Sequence, residues 1–523
     1  MTTPTDLPSG GTTNDPAAQG SHDRRWWALA VLVLPVLIIS MDATVLGFAV
    51  PALSEELEPS SSQLLWIIDI YSFVLAALLV TMGVLGDRVG RRRLLTTGAA
   101  AFSAASVLAA CSTTPEMLIA SRALLGVAGA TLMPSTLSLI RNIFDDAAER
   151  QRAIALWAAA FALGTAIGPI VGGALLEHFW WGSVFLVGVP VTIALVVLAP
   201  RLVPESKDPH PGPFDPLSAV LSMATMLPLV YAVKLVAEHG ASITAASSLV
   251  VGVIAGTLFV RRQLSSAAPM IDVRLFSVPR FRMAVSGNLL ACFGFAGTLF
   301  MVTQFLQLVV GKSPLAAGIQ LLPAVLASVV AMILAPGAAR RVGPFAVIAS
   351  GLAIGGAGFA LLSQLDVEGP LGLLTAAVVA INVGLGVAMT VAIDGILAAV
   401  APERAGAGAA VSETANELGI ALGTAILGSI MTAVYRPRID ALDVPPGAID
   451  HARETLGAAV LTAESLPSTL GQALLDGARA AFVDGIRTAS IVAAVALFAA
   501  ALWAAASARR SPDVVTATAG SAH

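Results

Sequence analysis

Charge is scarce in this sequence. Asp, Glu, Lys and Arg supply 12% of its 523 residues, about half the ~25% of a soluble globular chain. Lysine is nearly absent, with three residues against 26 arginines, and cysteine is rarer still, with two. That shortage excludes a disulfide framework and any cysteine-based zinc spacing, and Cys111 and Cys292, both in apolar stretches, read as small core residues. No Walker-type phosphate loop is present, which disfavours direct ATP drive. Histidine is also sparse, and His178 and His239 stand alone at loops, so the chain offers no interfacial constellation for a membrane-embedded enzyme. What it has instead is apolar surface, 57% of its residues. Ordinary cores cannot hide that much, so a soluble enzyme and a disordered scaffold are excluded and a polytopic membrane protein remains. The net charge of −4 decides little, because topology places the charges that matter.

Residues 1–23 lack apolar periodicity and are expected to form a disordered cytoplasmic tail. The first apolar run, from Trp26 to about Val50, is too long for a signal peptide's core and reads as a retained span. Windows of about 19 residues give spans near 26–51, 63–85, 94–111, 117–140, 153–176 and 183–201, then 217–237 and 244–262, and finally 283–310, 314–337, 344–363, 371–399, 407–434 and 479–507. Fourteen transmembrane helices are therefore expected in an all-α polytopic membrane protein. They form an N-terminal six-helix bundle (24–203), a linker with two inserted helices (204–282) and a C-terminal six-helix bundle (283–507), with a long external loop at 436–478 and a cytoplasmic tail at 508–523.

Loop charge supports that count. With both termini cytoplasmic, the inside segments hold 21 of the 29 basic residues, and among the short outside loops only Lys312 is basic. A wrong number of spans would put successive loops out of phase. Long loops are exempt from the charge rule, so 436–478 is read as an external flap with helical stretches at 448–457 and 469–481. A weak echo between Gly86-Asp87-Arg88-Val89-Gly90 and Ala339-Arg340-Arg341-Val342-Gly343 fits two repeated halves related by an axis along the membrane normal.

At the first inside hairpin stands Gly83-Val84-Leu85-Gly86-Asp87-Arg88-Val89-Gly90-Arg91-Arg92-Arg93. Its glycines permit a tight turn and close helix approach, and its carboxylate sits among guanidinium forks that can bind it bidentately. Four arginines alone would suit a headgroup anchor, but Asp87 and the paired glycines favour a gate. The string resembles the signature loop of the major facilitator superfamily. Arg122 with Gly126 and Gly129 resembles its arginine motif, and Gly164 through Gly173, around Gly168-Pro169, resembles the glycine-proline motif of its drug:proton antiporters. Met41-Asp42-Ala43-Thr44-Val45 and Trp66-Ile67-Ile68-Asp69-Ile70-Tyr71 are similar to segments of the fourteen-span drug exporters of the QacA, SmvA and LfrA type, and the resemblance spans residues 26–507.

Buried charge locates the chemistry. A carboxylate at mid-membrane costs on the order of 2.5–3.5 kcal/mol on insertion scales, so such groups usually line a cavity or path. Asp42 and Asp69 fall in the outer half of the N-terminal bundle and form an acidic lobe open to the outside. Glu413 and Glu417, four residues apart, share a helix face. Such a pair resists ionising together and can hold a proton until a cation arrives. Glu413 is close enough to the inner headgroups for snorkelling to stand as its structural alternative. Arg122 must be neutralised by a carboxylate or carbonyls of its own bundle. The resemblance assigns it to proton coupling, and a purely structural ion pair is the rival reading. Gly168-Pro169 is either a bending point or simple close packing. Trp66 and Tyr71, which flank Asp69, are the aromatic groups expected to meet a lipophilic cation.

Three departures from the family pattern stand out. Ser328 occupies a place where some relatives carry an acid in the tenth span, which weakens the case for divalent cations. Ser412 precedes Glu413 where several relatives have two adjacent acids, and Arg340 takes the place that Asp87 holds in the first loop.

The resemblance implies the major facilitator fold and a proton-coupled multidrug efflux antiporter for lipophilic organic cations: quaternary ammonium compounds, cationic dyes and fluoroquinolones. Asp42, Asp69, Arg122, Glu413 and Glu417 would couple protons, while Asp69, Trp66, Tyr71, Asp42 and Glu417 would meet substrate. Gly83, Asp87, Arg88, Gly90, Arg91, Gly168 and Pro169 would gate. No metal, no cofactor beyond the proton gradient and no nucleic acid is expected. The partners are cationic small molecules, protons and the lipid bilayer, for a monomer in a bacterial cytoplasmic membrane. The alternative is a proton-driven exporter of an endogenous metabolite or lipid.

Overall fold

The computed structural model describes residues 16–59, 61–209, 215–239, 242–266, 269–442, 444–453 and 455–510. The side chains of Asp69 and Pro169 lie outside that description. Among the described residues, fourteen helices are long and apolar enough to cross a membrane, and no strand is present.

The first group comprises α1 (Pro16–Leu57), α2 (Ser61–Val89), α3 (Arg91–Ala110), α4 (Pro115–Ile143), α5 (Ala147–His178), α6 (Ser183–Leu186) and α7 (Gly188–Leu202), the last two sharing one span. The helix starts follow local chemistry. Thr114 caps α4 by accepting the Met117 N–H at 3.2 Å, with Pro115 at the first helical position. Asp146 caps α5 by accepting the N–H groups of Ala148 and Glu149. Helix α1 begins at Pro16, so it takes in residues 16–23 that composition assigns to the tail.

Two inserted helices follow, α8 (Pro216–His239) and α9 (Ile243–Ser265). They pack on each other, and α8 also lies against α2, where Phe73 meets Tyr231 edge-on at 6.0 Å. At their base Arg262 makes a bidentate contact with Asp215, at 2.8 and 2.9 Å. Outside the spans, those hydrogen bonds hold the Asp215 carboxyl well below the usual carboxylate range.

The second group comprises α10 (Pro279–Gln304), α11 (Pro314–Val342), α12 (Pro344–Leu362), α13 (Leu371–Ala398), α14 (Ala405–Asp440) and the long α17 (Ser468–Arg510), with short helices α15 (Pro446–Ala452) and α16 (Leu456–Ser465) between the last two. The turns between α2 and α3 and between α11 and α12 are alike: Gly90 and Gly343 precede the second helix with φ of 114° and 88°, a region that favours glycine. This strengthens the echo between those loops. The loop after α14 is tied down by the Tyr435 hydroxyl, which donates to the Ala452 carbonyl at 2.9 Å. Cys292 is buried as expected. Cys111 is not a core residue: it caps the end of α3 and is exposed.

Candidate functional site

Arg122 lies two turns into α4 and is 2% exposed. A guanidinium so placed needs acceptors for a fixed fork of donors, and helices α1 and α2 supply them. Nη1 donates to Asp42 Oδ2 at 3.1 Å, Nε to the Ile67 carbonyl at 3.1 Å and Nη2 to the Ile68 carbonyl at 3.4 Å. The same guanidinium stands 4.9 Å over the Tyr71 ring. Both neutralising partners anticipated for Arg122, carboxylate and carbonyls, are therefore present. The aromatic face of Tyr71 is already taken by a cation of the protein itself. The charges of Asp42, Arg122 and Glu417 all reach the Tyr71 phenol, so the two groups of helices meet electrostatically at this ring.

At the arginine-rich end of the bundle the loop glycines, Asp87 and Arg91 form one assembly. Arg91, 1% exposed, donates from Nε to Asp87 Oδ1 at 2.8 Å and from Nη2 to the carbonyls of Pro402 and Glu403 at 3.1 and 2.9 Å. Asp87 accepts the Gly406 N–H at 2.9 Å and the Ala407 N–H at 3.2 Å. The carboxylate thus caps the N-terminus of α14, where unpaired N–H groups and the helix dipole favour an anion. Close approach makes this possible: a Cβ on Gly83 would stand 2.5 Å from the Gly406 carbonyl oxygen. Arg88 is half-buried beside this assembly.

A second latch nearby was not legible in the sequence. Asp394 of α13 accepts from Arg150 Nε at 3.1 Å and from Gln151 Nε2 at 3.0 Å, while Arg141 Nε donates to the Leu397 carbonyl at 3.3 Å. Asp394 and Arg150 are each 7% exposed. The available signal was a lone acid inside the apolar run Leu371–Ala398. Together the two latches fasten α2, α4 and α5 to α13 and α14.

Away from that end, a cavity of about 290 Å³ lies between the two groups. Ser40, Thr44, Phe161 and Thr165 line it from α1 and α5, and Cys292, Gln307, Met332 and Asn382 are among those lining it opposite. Its wall is apolar with hydroxyl and amide groups, and no Asp, Glu, Lys or Arg is among the described lining residues. Of the anticipated substrate residues, Asp42, Tyr71 and Glu417 are not among its described lining residues, and Trp66 is 42% exposed on α2, edge-on to Phe73 at 6.1 Å. Gly168 faces Thr44 and Met41 of α1, which fits close packing of α5 on α1.

Glu413 does not snorkel. It is 3% exposed at the α10–α14 interface, where Asn416 Nδ2 donates to its Oε2 at 3.3 Å. Its Oε1 is buried without a hydrogen-bond partner. Beside it, Cys292 Sγ donates to Asn416 Oδ1 at 3.2 Å, and Asn288 Nδ2 donates to the Ser412 carbonyl at 3.1 Å. Glu417, one turn on, is half-buried and makes contacts of its own. Sequence reasoning singled out both acids but neither Asn416 nor Cys292, which only the packing of α10 on α14 brings to them.

Comparison with known proteins agrees with this architecture. The Major Facilitator Superfamily pattern matches residues 32–424. The chain is 50% identical over 487 residues to the multidrug efflux pump LfrA of Mycolicibacterium smegmatis, covering 93% of this chain and 97% of that protein. It is 37% identical to the methyl viologen resistance protein SmvA of Salmonella typhimurium, over 92% and 98% of the two chains. It is 31% identical to the tetracenomycin C resistance and export protein of Streptomyces glaucescens, over 96% and 95%. The crystal structure of the human organic anion transporter MFSD10 superposes with a TM-score of 0.59 at 15% identity, over 90% of this chain and 99% of that one. At that identity the likeness speaks to the fold alone.

Proposed function

This chain belongs to the major facilitator superfamily, a transporter and not an enzyme, and from that premise we propose that it is a proton-coupled multidrug efflux antiporter exporting lipophilic organic cations from the cytoplasm. The observation that carries the reading is the placing of two acids, buried Glu413 and half-buried Glu417, near Cys292 in the wall of a mostly apolar cavity lined by both groups of helices. The names of the relatives, a multidrug efflux pump and a methyl viologen resistance protein, support it.

In this reading the arginine-rich end is cytoplasmic, both termini face the cytoplasm and the latches at Asp87 and Asp394 close that side. Protons from outside load the acids, the neutralised site turns inward, and the arriving cation displaces them. Each elementary charge that crosses the field carries about 2.3 kcal/mol per 100 mV. Work is extracted only because the cation binds the deprotonated site better than the protonated one. The Asp42–Arg122 pair holds α1, α2 and α4 in register while the acids change state.

A second reading, export of an endogenous metabolite or lipid, rests on the lack of charged residues among the described lining of the cavity. The experiment that separates the two is ethidium efflux from energised cells, comparing the parent with Asp69→Asn and Glu417→Gln and then collapsing the proton gradient. Efflux that requires both gradient and acids is the expected result. A well-folded protein that moves no cationic dye under a gradient sinks the cation reading and favours the metabolite exporter.

A further inference from the structure

The cavity wall and the buried carboxylate are joined by two hydrogen bonds that pass through one side chain. Cys292 lines the cavity, beside Met389, whose Sδ lies 4.0 Å from the thiol. Behind the wall its Sγ donates to Asn416 Oδ1, and the other end of the same amide, Nδ2, donates to Glu413 Oε2. An amide has one accepting end and one donating end. With its oxygen turned to the thiol, Asn416 must present N–H to Glu413, which suits the ionised carboxylate. With the amide reversed, its oxygen would face Glu413 and suit only the protonated acid.

We infer that Asn416 is a positioning residue that couples occupancy of the cavity to the proton on Glu413, with the Cys292 thiol as the group that senses the occupant. A bound substrate packs against Cys292 and confines the thiol to the rotamer that points at Asn416, so the amide keeps its N–H toward Glu413. The O–H bond of the protonated acid then breaks, its electron pair stays on the carboxylate and the proton leaves to water. An empty cavity leaves the thiol free to rotate and the amide free to reverse, and Glu413 takes a proton again. The order suits an antiporter: the substrate expels the proton. By linkage the proton must weaken substrate binding by the same factor.

Other ionisable groups bear on this site. Glu417 of the same helix acts on both Glu413 and Cys292. Tyr71 of α2 faces Glu417 and also feels Asp42 and, from α4, Arg122. Among the described residues, the other charged neighbours of α14 lie at its ends, Asp87 and Arg91 at the N-terminus and Asp484 of α17 against Arg438 at the other. Asn416 is therefore the neutral switch in a set of charges that, among the described residues, includes no cation next to Glu413.

This inference rests on the proton-coupled reading above, and the experiment keeps the two apart. The full chain, purified in detergent in weak buffer with a pH-indicating dye, is titrated with tetraphenylphosphonium while binding is followed separately. The parent is expected to release protons on binding. In Asn416→Leu, affinity at a pH where Glu413 is ionised should change by less than about threefold; in both Asn416→Leu and Cys292→Ala, protons released per substrate bound should fall by at least about threefold, and Cys292→Ser should restore release. Because Cys292→Ala deletes one atom, it guards against misfolding of the leucine variant. If the parent releases protons and both variants release as many, the relay through Asn416 is wrong and proton coupling stands. If the parent binds and releases none, the proton-coupled reading falls and the relay falls with it.

Discussion

Arg150 of α5 and Asp394 of α13 form an ion pair at 3.1 Å, each residue 7% exposed, across the junction between the two groups of helices. A buried pair is worth little against an apolar replacement, but removing one partner strands the other's charge at a cost of about 3–5 kcal/mol. Gln151 also donates to Asp394, so Arg150→Gln should be milder than Asp394→Asn, which strands the arginine. Melting temperatures of the parent, the two single variants and the double variant test this. The double variant should lie above the sum of the single losses, with a coupling of about 1–3 kcal/mol. Strictly additive losses would show that the two residues do not act as a unit.

At the neighbouring latch, closure depends on space as well as charge. A Cβ added at Gly406 would collide with Asp87 and with the Gly83 carbonyl, so Gly406→Ala should keep α2 and α14 from meeting. Cys292 reports on this, because it lines the cavity beyond the latch. In a Cys111→Ser background, a membrane-impermeant maleimide applied from the arginine-rich side should react slowly with the parent. Local opening sets such rates, and the Gly406→Ala variant should react at least about fivefold faster. Equal rates would mean that the latch does not seal that end.

What could be read from the sequence was whatever is carried by short-range pattern. The fourteen spans follow from apolar length and the alternation of arginines between loops, and the Asp87–Arg91 hairpin from its spacing. Glu413 and Glu417 stood out because an acid in an apolar helix is costly wherever it lies. The Arg150–Asp394 latch was hidden because its partners are far apart in the chain: Asp394 shows only as a lone acid in an apolar run, and nothing local points from it to Arg150. Tyr71 was legible as an aromatic beside an acid, but only packing shows that its face is covered by Arg122. Asn416 and Cys292 look like ordinary small polar residues until α10 and α14 are set side by side.

The base of the inserted pair has its own pH response. Hydrogen bonds from Arg262 hold the Asp215 carboxyl below its ordinary value of 3.8. A carboxyl whose folded value is depressed adds stability that is complete above the unfolded value and is lost as pH falls through the folded one. Asp215→Asn should therefore lower the melting temperature slightly and by a constant amount between about pH 7 and 5, and the gap should narrow below about pH 4. A gap that persists undiminished at pH 3 would assign the effect to packing. The pair is partly exposed, so added salt should also shrink it.

Glu413 separates stability from transport. Its carboxyl is 3% exposed, and among the described residues one oxygen has no hydrogen-bond partner and no cation stands against it. A group in that position is retained at a cost to the fold. Glu413→Gln keeps the shape, removes the ionisable oxygen and leaves Asn416 an acceptor, so the variant should melt at the parent's temperature or a few degrees above it. The same variant should lose uphill export, because a permanently neutral side chain cannot alternate between a state that binds the proton and one that binds the cation. Melting temperature and gradient-driven dye export, measured on the same preparation, should therefore move in opposite directions or export alone should fall. A variant that melts well below the parent would show that the carboxylate serves the fold, and one that still exports against a gradient would remove Glu413 from the proton path and leave Glu417 to carry it.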